Sequence, residues 1–392
     1  MKAPRRLTVL GATGSVGRSV LSVVEANEDA FEVVGLSANR NTALLSEQAE
    51  RFGARRVAVG DPAVDADFPS GVEVGSGPDA LVELATDPEA DLVVNALVGS
   101  SGLPVTMAAV NAGKRLAIAN KESLVMAGDI ITSVASETGS ELIPMDSEHS
   151  SIFRCLRGVP RPELERIVLT ASGGPLRDMD EAERRDADVA SVLAHPNWDM
   201  GDKVTVDSAT LVNKAMEVVE ARWLFDTPVE RIDVVLHRES IVHALVRLVD
   251  GSMIAHLGPP DMRVPIQYAL FYPEPPGASF GEMRAPDLGA LNFEPVVPEL
   301  YPCFGLVLES ATSGGTAAAI AATADEVAVE AFLAGDIGFG DITTVIRGTL
   351  AAVKSGPADG IEDVLGAEGE ARSAAVKIVR EMTGGRSGAR SA

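Results

Sequence analysis

At 392 residues the chain is too long for one ordinary core, so two or three domains are expected. Hydrophobic residues at 46% and charged residues at 23% exclude a disordered polypeptide. The 33 basic and 57 acidic residues give a formal charge of −24, a surface that repels nucleic acid and anionic lipid and excludes both as expected partners.

The residues from Met1 to Arg6 lead straight into an apolar strand, leaving no room for a signal peptide, and no apolar run is long enough to cross a bilayer. A cytoplasmic protein is expected. The first 150 residues then alternate short apolar runs with helical stretches. Strands are expected at Leu7–Leu10, Phe31–Ser37, Arg56–Val59, Asp91–Leu97, Arg115–Ala119 and Glu141–Pro144. Helices are expected at Val16–Glu25, Thr42–Arg51, Pro78–Ala85 and Val105–Ala112. Such alternation implies right-handed crossovers and a parallel sheet covered on both faces. The fold class is therefore α/β, with an N-terminal doubly wound Rossmann-type nucleotide-binding domain over residues 1–150.

Residues 151–273 read as an α+β domain. It has strands at Ile167–Thr170, Ile232–Leu236, Ile241–Leu248 and Ser252–Leu257, a hairpin signal at Asp250-Gly251, and a helix near Ser208–Phe225. Cys155 and Cys303 have apolar neighbours and no metal-ligand spacing, so buried reduced thiols are expected. The Pro-rich residues 274–302 suit an extended connector. Residues 303–392 form an Ala-rich helical domain, with helices at about Phe304–Ser310, Thr316–Leu333, Ile342–Val353 and Ala371–Met382. Asp341 is the expected N-cap of the third, and Gly384–Ala392 is expected to fray.

The first strand runs into Gly11-Ala12-Thr13-Gly14-Ser15-Val16-Gly17 and then a helix, which sets backbone N–H groups and a positive helix end against a pyrophosphate. The spacing is G-x-x-G-x-x-G, so a tight βα turn without a ligand is the alternative. The second strand ends in Ser37-Ala38-Asn39-Arg40-Asn41. No carboxylate stands there to bind ribose hydroxyls or repel a 2′-phosphate, and Arg40 can pair with one, which favours NADPH over NADH.

Asp146 and Glu148 follow the last strand of the first domain and, in an extended segment, share one side. In the helix beyond Asp207, residues Asn213, Glu217 and Glu220 recur at i, i+4 and i+7 and form one stripe. Converging carboxylates without His or Cys partners suit a hard cation, Mg²⁺ or Mn²⁺, rather than zinc. A solvent-facing stripe is the alternative. Lysine is scarce, seven in all, yet Lys121, Lys203 and Lys214 fall inside these polar motifs. Ser172-Gly173-Gly174, Ser208, Asn213 and Lys214 offer the small donors and the cation that a phosphate requires in an acidic protein. The loop from His195 to Lys203, carrying Trp198 and Met200, is a candidate lid.

Gly11–Gly17, Ala119–Leu124, Met145–His149, Ala171–Pro175, the His195–Lys203 loop, Val206–Lys214 with Glu217, and Gly258–Pro265 resemble, in the same order, the signatures of the 1-deoxy-D-xylulose 5-phosphate reductoisomerase family. The resemblance runs from Leu7 to about Leu333. It implies a homodimer that rearranges deoxyxylulose phosphate and reduces the resulting aldehyde with NADPH, forming methylerythritol phosphate for isoprenoid precursors. It implies Asp146, Glu148 and Glu217 as ligands of Mn²⁺ or Mg²⁺, with Co²⁺ a further fit. Ser172, Ser208, Asn213 and Lys214 would hold the phosphate. Lys121, Ser147, Glu148, Glu217 and His195 would contact the rest of the substrate, with Lys121, Glu148 and His195 closest to the chemistry. Trp198 and Met200 would close over it. Thr13, Gly14, Ser15, Val16, Arg40, Asn41, Asn120, Glu122 and Gly201 would line the NADPH.

Departures from the family pattern are His237-Arg238-Glu239-Ser240 in place of His-Pro-Gln-Ser, Ala324-Asp325-Glu326 in place of Ala-Asn-Glu, and Ser100-Ser101-Gly102 in place of Ala-Ala-Gly. Two other readings stand beside the main one. The first is an NADP-linked oxidoreductase of another phosphorylated sugar. The second is a non-catalytic NADPH sensor, which would have no use for three carboxylates and Lys121.

Overall fold

The computed structural model describes residues 3–64, 67–195, 198, 200–274, 277 and 279–389, with side chains up to residue 384. Pro196, Asn197 and Asp199 of the expected lid, and Pro275 and Pro276 of the expected connector, lie outside the described residues. The chain divides into two compact units.

The first unit comprises Met1–Ser123, Ile131–Arg154 and Asp261–Arg284. Its strands are β1 (Arg5–Leu10), β2 (Phe31–Ala38), β3 (Arg56–Val59), β4 (Glu73–Ser76), β5 (Leu92–Asn95), β6 (Arg115–Ile118) and β7 (Leu142–Pro144). All pair in parallel, in the order β4-β3-β2-β1-β5-β6-β7. Helices α1 (Ser15–Glu25), α2 (Thr42–Phe52), α3 (Pro78–Thr86), α4 (Gly102–Asn111), α5 (Lys121–Thr138) and α6 (Ser147–Cys155) fill the crossovers or follow the sheet. The strand order reverses between β1 and β5, and ligands of such sheets bind at that switch point, outside the carboxyl ends of the strands.

The central strands are buried on both faces, as continuous apolar runs such as Leu92-Val93-Val94 require. Edge strand β4 was not expected from the sequence. Its Glu73-Val74-Gly75-Ser76 is largely exposed and shows no apolar run. Helix α11 (Arg263–Phe271) also packs in this unit, placing Ile266, Ala269 and Leu270 in the same core as Leu7, Val9 and Val24. This packing is why residues 261–284 associate with the first unit, although the sequence boundaries at 150 and 273 separate them from it.

The second unit comprises Leu124–Ile130, Cys155–Pro260 and Ala285–Ala392. Strands β8 (Leu164–Ala171), β9 (Ile232–Leu236), β10 (Val242–Leu248), β11 (Met253–Leu257) and β12 (Glu294–Pro295) form one sheet in the order β11-β10-β8-β9-β12. The β10–β11 hairpin turns where Asp250-Gly251 predicts, with Gly251 at φ +85°. The Pro-rich connector is more than a spacer, since its Glu294–Pro295 pairs with β9 as an edge strand.

Helices α7 (Glu181–Arg185), α8 (Val189–Leu193), α9 (Asp202–Thr210) and α10 (Val212–Leu224) lie between β8 and β9. Helices α12 (Pro302–Ser313), α13 (Ala317–Leu333), α14 (Asp341–Ala352) and α15 (Ile361–Ala389) complete the unit. The expected single helix at Ser208–Phe225 is two, because Leu211 adopts φ +57° and breaks it. Asp341 is not the N-cap of α14. Gly340 holds that position, and Asp341 in the first turn accepts a hydrogen bond from Gly338 N at 2.8 Å. The expected frayed end is helical through Ala389. Cys155 and Cys303 are buried, and burial pushes their thiols up to about 11 and about 12. No helix of the described residues is long and apolar enough to cross a membrane.

Candidate active site

At the switch point the β1–α1 turn is fixed by close backbone contact. Gly11 sits at φ +81°, and a Cβ there would lie 2.5 Å from Ala96 O. A Cβ on Gly17 would lie 2.2 Å from Gly11 O, so only glycine lets α1 start against this turn. Ser37 accepts from Gly11 N through its Oγ at 3.0 Å and from Ala12 N through its carbonyl at 2.7 Å, while Gln48 Nε2 donates to Ala12 O at 3.1 Å. Gly14 is the N-cap of α1 without a side-chain cap bond, so no side chain of the cap satisfies the first-turn N–H groups that follow Thr13.

Arg40 follows β2 and is 76% exposed, and its Nε lies 2.7 Å from Asp61 Oδ2. The sequence reading found no acid at the end of β2, but the parallel neighbour β3 ends at the same edge and delivers one. Asn41 caps α2 by accepting from Leu44 N at 3.2 Å. Asn120 caps α5, accepting from Ser123 N at 3.1 Å, and its amide donates to Leu97 O, Gly99 O and Glu122 Oε2. Glu122 Oε1 in turn accepts from Gly99 N at 3.1 Å. Asn120 and Glu122 thus brace the β5–α4 loop that faces the switch point.

Asp146 and Glu148 are not in an extended segment. The strand ends at Pro144, and Ser147 already begins α6, so the alternation argument does not apply to them. Asp146 Oδ1 accepts from Ser147 N at 2.9 Å, and its Oδ2 lies 2.5 Å from Lys121 Nζ, at 17% and 12% side-chain exposure. Ser147 Oγ donates to Glu148 Oε2 at 2.5 Å.

In the second unit the expected stripe lies on α10, with Glu217 and Glu220 buried and Asn213 half-buried. Glu217, 1% exposed, accepts from Lys214 Nζ at 2.6 Å and from Asn213 Nδ2 at 2.6 Å. Glu220 is equally enclosed, which removes the solvent-facing alternative for this stripe. Each carboxylate that the sequence reading assigns to a metal is therefore held by an ammonium or a hydroxyl. Carboxylate oxygens are the donor type that a hard divalent ion prefers.

Gly173 and Gly174, at φ +82° and +72°, turn the chain after β8. A Cβ on Gly174 would lie 2.5 Å from Ser208 O, so the Ser172–Gly174 loop and α9 meet backbone to backbone. Ser208 Oγ donates to Val204 O at 2.9 Å, and Gly201 caps α9.

His195 Nδ1 accepts from Trp198 N at 3.0 Å, which leaves its remaining proton on Nε2, 3.0 Å from Ser172 Oγ. Ser172 Oγ also accepts from Gly174 N at 3.2 Å, so its own O–H is left to donate to an anion. Burial, helped by the charge of Arg177, pushes the His195 imidazole down to about 4 and keeps it neutral. The Trp198 and His243 rings lie 6.1 Å apart, and Met200 is half-buried.

Three supporting residues escaped the sequence reading. Arg177 donates to Ser172 O at 2.8 Å, and Tyr301 donates to Gly173 O at 3.2 Å beneath the guanidinium of Arg184. An arginine followed by an aspartate, and a tyrosine more than a hundred residues away, carry no local signal. The departure at 237–240 builds a local network outside these sets. His237 accepts from Ile241 N and Val242 N, and Arg238 pairs with Asp178 at 2.6 Å and Glu294 at 2.9 Å.

Three family models match the chain: 1-deoxy-D-xylulose 5-phosphate reductoisomerase over residues 7–128, its C-terminal domain over 142–225, and the DXP reductoisomerase C-terminal domain over 257–374. A 1-deoxy-D-xylulose 5-phosphate reductoisomerase of Bacillus thuringiensis subsp. konkukian is 44% identical over 378 residues, 95% of this chain and 98% of the relative. That of Thermomicrobium roseum is 46% identical over 377 residues, 95% and 97% of the two chains. Among solved structures, the reductoisomerase of Zymomonas mobilis in complex with NADPH superposes with a TM-score of 0.87 at 39% identity, covering 96% of this chain and 99% of its own. A reductoisomerase in complex with NADPH, fosmidomycin and magnesium gives a TM-score of 0.88 at 35% identity, covering 96% and 98%. With identity at this level sustained from the glycine turn to the last helices, the chain belongs to the 1-deoxy-D-xylulose 5-phosphate reductoisomerase family.

Proposed function

We propose that this family member isomerises 1-deoxy-D-xylulose 5-phosphate and reduces the product to 2-C-methyl-D-erythritol 4-phosphate through the residues assigned from its sequence. The activity itself, dependent on NADPH and a divalent metal, goes with membership of the family. The observation that best supports the residue assignment is the state of its carboxylates, each engaged with a neighbouring donor at 2.5–2.6 Å.

Asp146, Glu148 and Glu217 would hold Mn²⁺ or Mg²⁺. Bound there, a divalent cation supplies Lewis-acid polarisation of the substrate carbonyl. Lys121, whose Nζ lies against Asp146, would donate to a substrate hydroxyl. Ser147 and Glu148 flank the same region of the sugar. His195 acts as a neutral donor through Nε2–H and orients Ser172. Ser172, Ser208, Asn213 and Lys214 bind the phosphate with one cation and several neutral donors, while Trp198 and Met200 exclude water when substrate is bound. Thr13, Gly14, Ser15 and Val16 of the β1–α1 turn would line NADPH with the positive end of α1 towards its pyrophosphate, Arg40 would pair with its 2′-phosphate, and Asn41, Asn120, Glu122 and Gly201 would also line it.

Residues 1–150 are assigned to the cofactor, 151–273 to substrate and dimerisation, and 303–392 to the helical support. We assign the protein to the cytoplasm as a homodimer. Mass measurement in solution tests the oligomer. The direct test of function mixes protein, Mn²⁺, NADPH and deoxyxylulose phosphate and follows loss of the reduced cofactor. Oxidation that does not depend on both metal and sugar would overturn the reading.

A further inference from the structure

Helix α9 carries a second set of charges that the phosphate reading does not use. Lys203, in its first turn, places Nζ 2.6 Å from Asp207 Oδ2, one turn on, and 3.1 Å from Asp325 Oδ2 of α13. The side chains of Lys203, Asp207 and Asp325 are 14%, 3% and 0% exposed. Two carboxylates against one ammonium leave a buried negative charge, and adjacent carboxylates in such a site do not both ionise.

Asp207 and Asp325 each set an Oδ2 against the same Lys203 ammonium, and two enclosed carboxylates with one cation between them favour a proton on one of the two. Burial first, then the charge of Asp325, raises Asp207 to about 7 against the opposing pull of Lys203. The other elements packed here add little charge. Helix α8 carries no titratable side chain, and Lys214 and Glu217 of α10 pair with each other. Cys303 of α12 is a neutral thiol 3.1 Å from Thr343 Oγ1, and Arg347 of α14 is exposed.

Helix α9 also meets the Gly174 turn through the Ser208 carbonyl. The helix that presents Ser208, and leads through Leu211 to Asn213 and Lys214, is thus fixed between that turn and α13. The family's usual asparagine at position 325 would donate an amide N–H to Asp207 with no proton to lose. Aspartate makes the same contact conditional on pH.

We propose that Lys203, Asp207 and Asp325 are positioning residues, a clamp closed by one proton shared between the two carboxylates, which holds α9 on α13 and keeps Ser208, Asn213 and Lys214 in register for the substrate's phosphate. The clamp rests on the assignment of those three residues to the phosphate.

The test compares the full-length enzyme with Asp325→Asn, assayed with Mn²⁺ and NADPH from about pH 6 to about pH 9. The substrate phosphate titrates equally in both, so the ratio of the two KM values isolates the clamp. Wild-type KM is expected to rise roughly fivefold relative to the variant across about pH 7, with the kcat ratio constant. Melting provides an independent readout. A carboxyl raised in the folded state favours folding less as pH rises from its ordinary value towards about 7, so the wild type loses stability over that window relative to Asp325→Asn. If Asp325→Asn does not fold, Asp207→Asn gives the same comparison. A flat KM ratio overturns the proposal, and a melting difference with a flat KM ratio reduces the clamp to a structural role and overturns it equally. Absence of metal-dependent turnover in the wild type sinks the functional reading instead, while melting still reports on the shared proton.

Discussion

Glu217→Gln separates the metal assignment from simple packing. Glu217 is 1% exposed and accepts from both Lys214 Nζ and Asn213 Nδ2 at 2.6 Å. Glutamine keeps an acceptor for Asn213 but removes the charge facing Lys214, which is itself only 5% exposed. Breaking one half of a buried pair costs about 3 kcal/mol, and at about 2–4 °C per kcal/mol the melting temperature should fall on the order of 10 °C. Activity should fall much further. A hard cation loses an anionic oxygen, so Mn²⁺-dependent turnover should drop more than about 100-fold while NADPH affinity stays within about twofold of wild type.

Lys214→Met combined with Glu217→Leu separates the two effects, because replacing a whole buried pair by apolar side chains of similar size is often neutral for stability. The double variant should recover most of the lost melting temperature and none of the turnover. The assays are thermal melting, cofactor titration by fluorescence, and metal-dependent NADPH oxidation. Wild-type turnover in Glu217→Gln, or recovery of turnover in the double variant, would refute the assignment.

Gly17→Ala should abolish NADPH binding and destabilise the first unit by about 3 kcal/mol or more, since the new Cβ would meet Gly11 O at 2.2 Å with only backbone to move; cofactor titration and melting check it. Asp61→Asn removes the anion 2.7 Å from Arg40, so the KM for NADPH should fall roughly twofold with that for NADH unchanged. A rise in KM for NADPH would mean that Asp61 orients Arg40 rather than competing with the 2′-phosphate. For His195 the sign follows from its depressed value, about 4 in the folded chain against an ordinary 6.5. The folded state binds fewer protons in that window, so stability is full above about pH 6.5 and is lost as pH falls towards about 4. Because His195 is only half-buried, screening reduces the contribution to about 1–2 kcal/mol, and His195→Asn should flatten the acid limb of a melting-versus-pH curve by that amount.

What the sequence disclosed followed the strength of each local signal. Strands such as Leu92–Asn95 are buried on both faces, and their unbroken apolar runs can be read without knowing the partners. Strand β4 has no such run because it lies at an edge, and Trp223 packs so closely on Gly128 of α5 that a Cβ there would lie 2.1 Å from its ring, a contact that no neighbouring residue announces. The site divides in the same way. Asn213, Glu217 and Glu220 share a helical period, so their common face is legible, and its two glutamates are buried. Asp146 and Glu148 were chosen on a period of two that the structure does not contain, because α6 begins between them.

The residues whose roles are not legible in the sequence are those whose meaning is relational. Asp61 matters because parallel strands end side by side, and Tyr301 because its hydroxyl reaches a loop far back in the chain. Asp325 is the sharpest case. In sequence it is one acid replacing an amide at a position outside every ligand set, and only the approach of α13 to α9 puts it beside Asp207 and Lys203. A substitution that conserves shape can therefore add a proton to the working parts of a site without touching substrate, metal or cofactor. Departures from a family pattern at buried positions are best judged by the charges they meet across helices rather than by their distance along the chain from a motif.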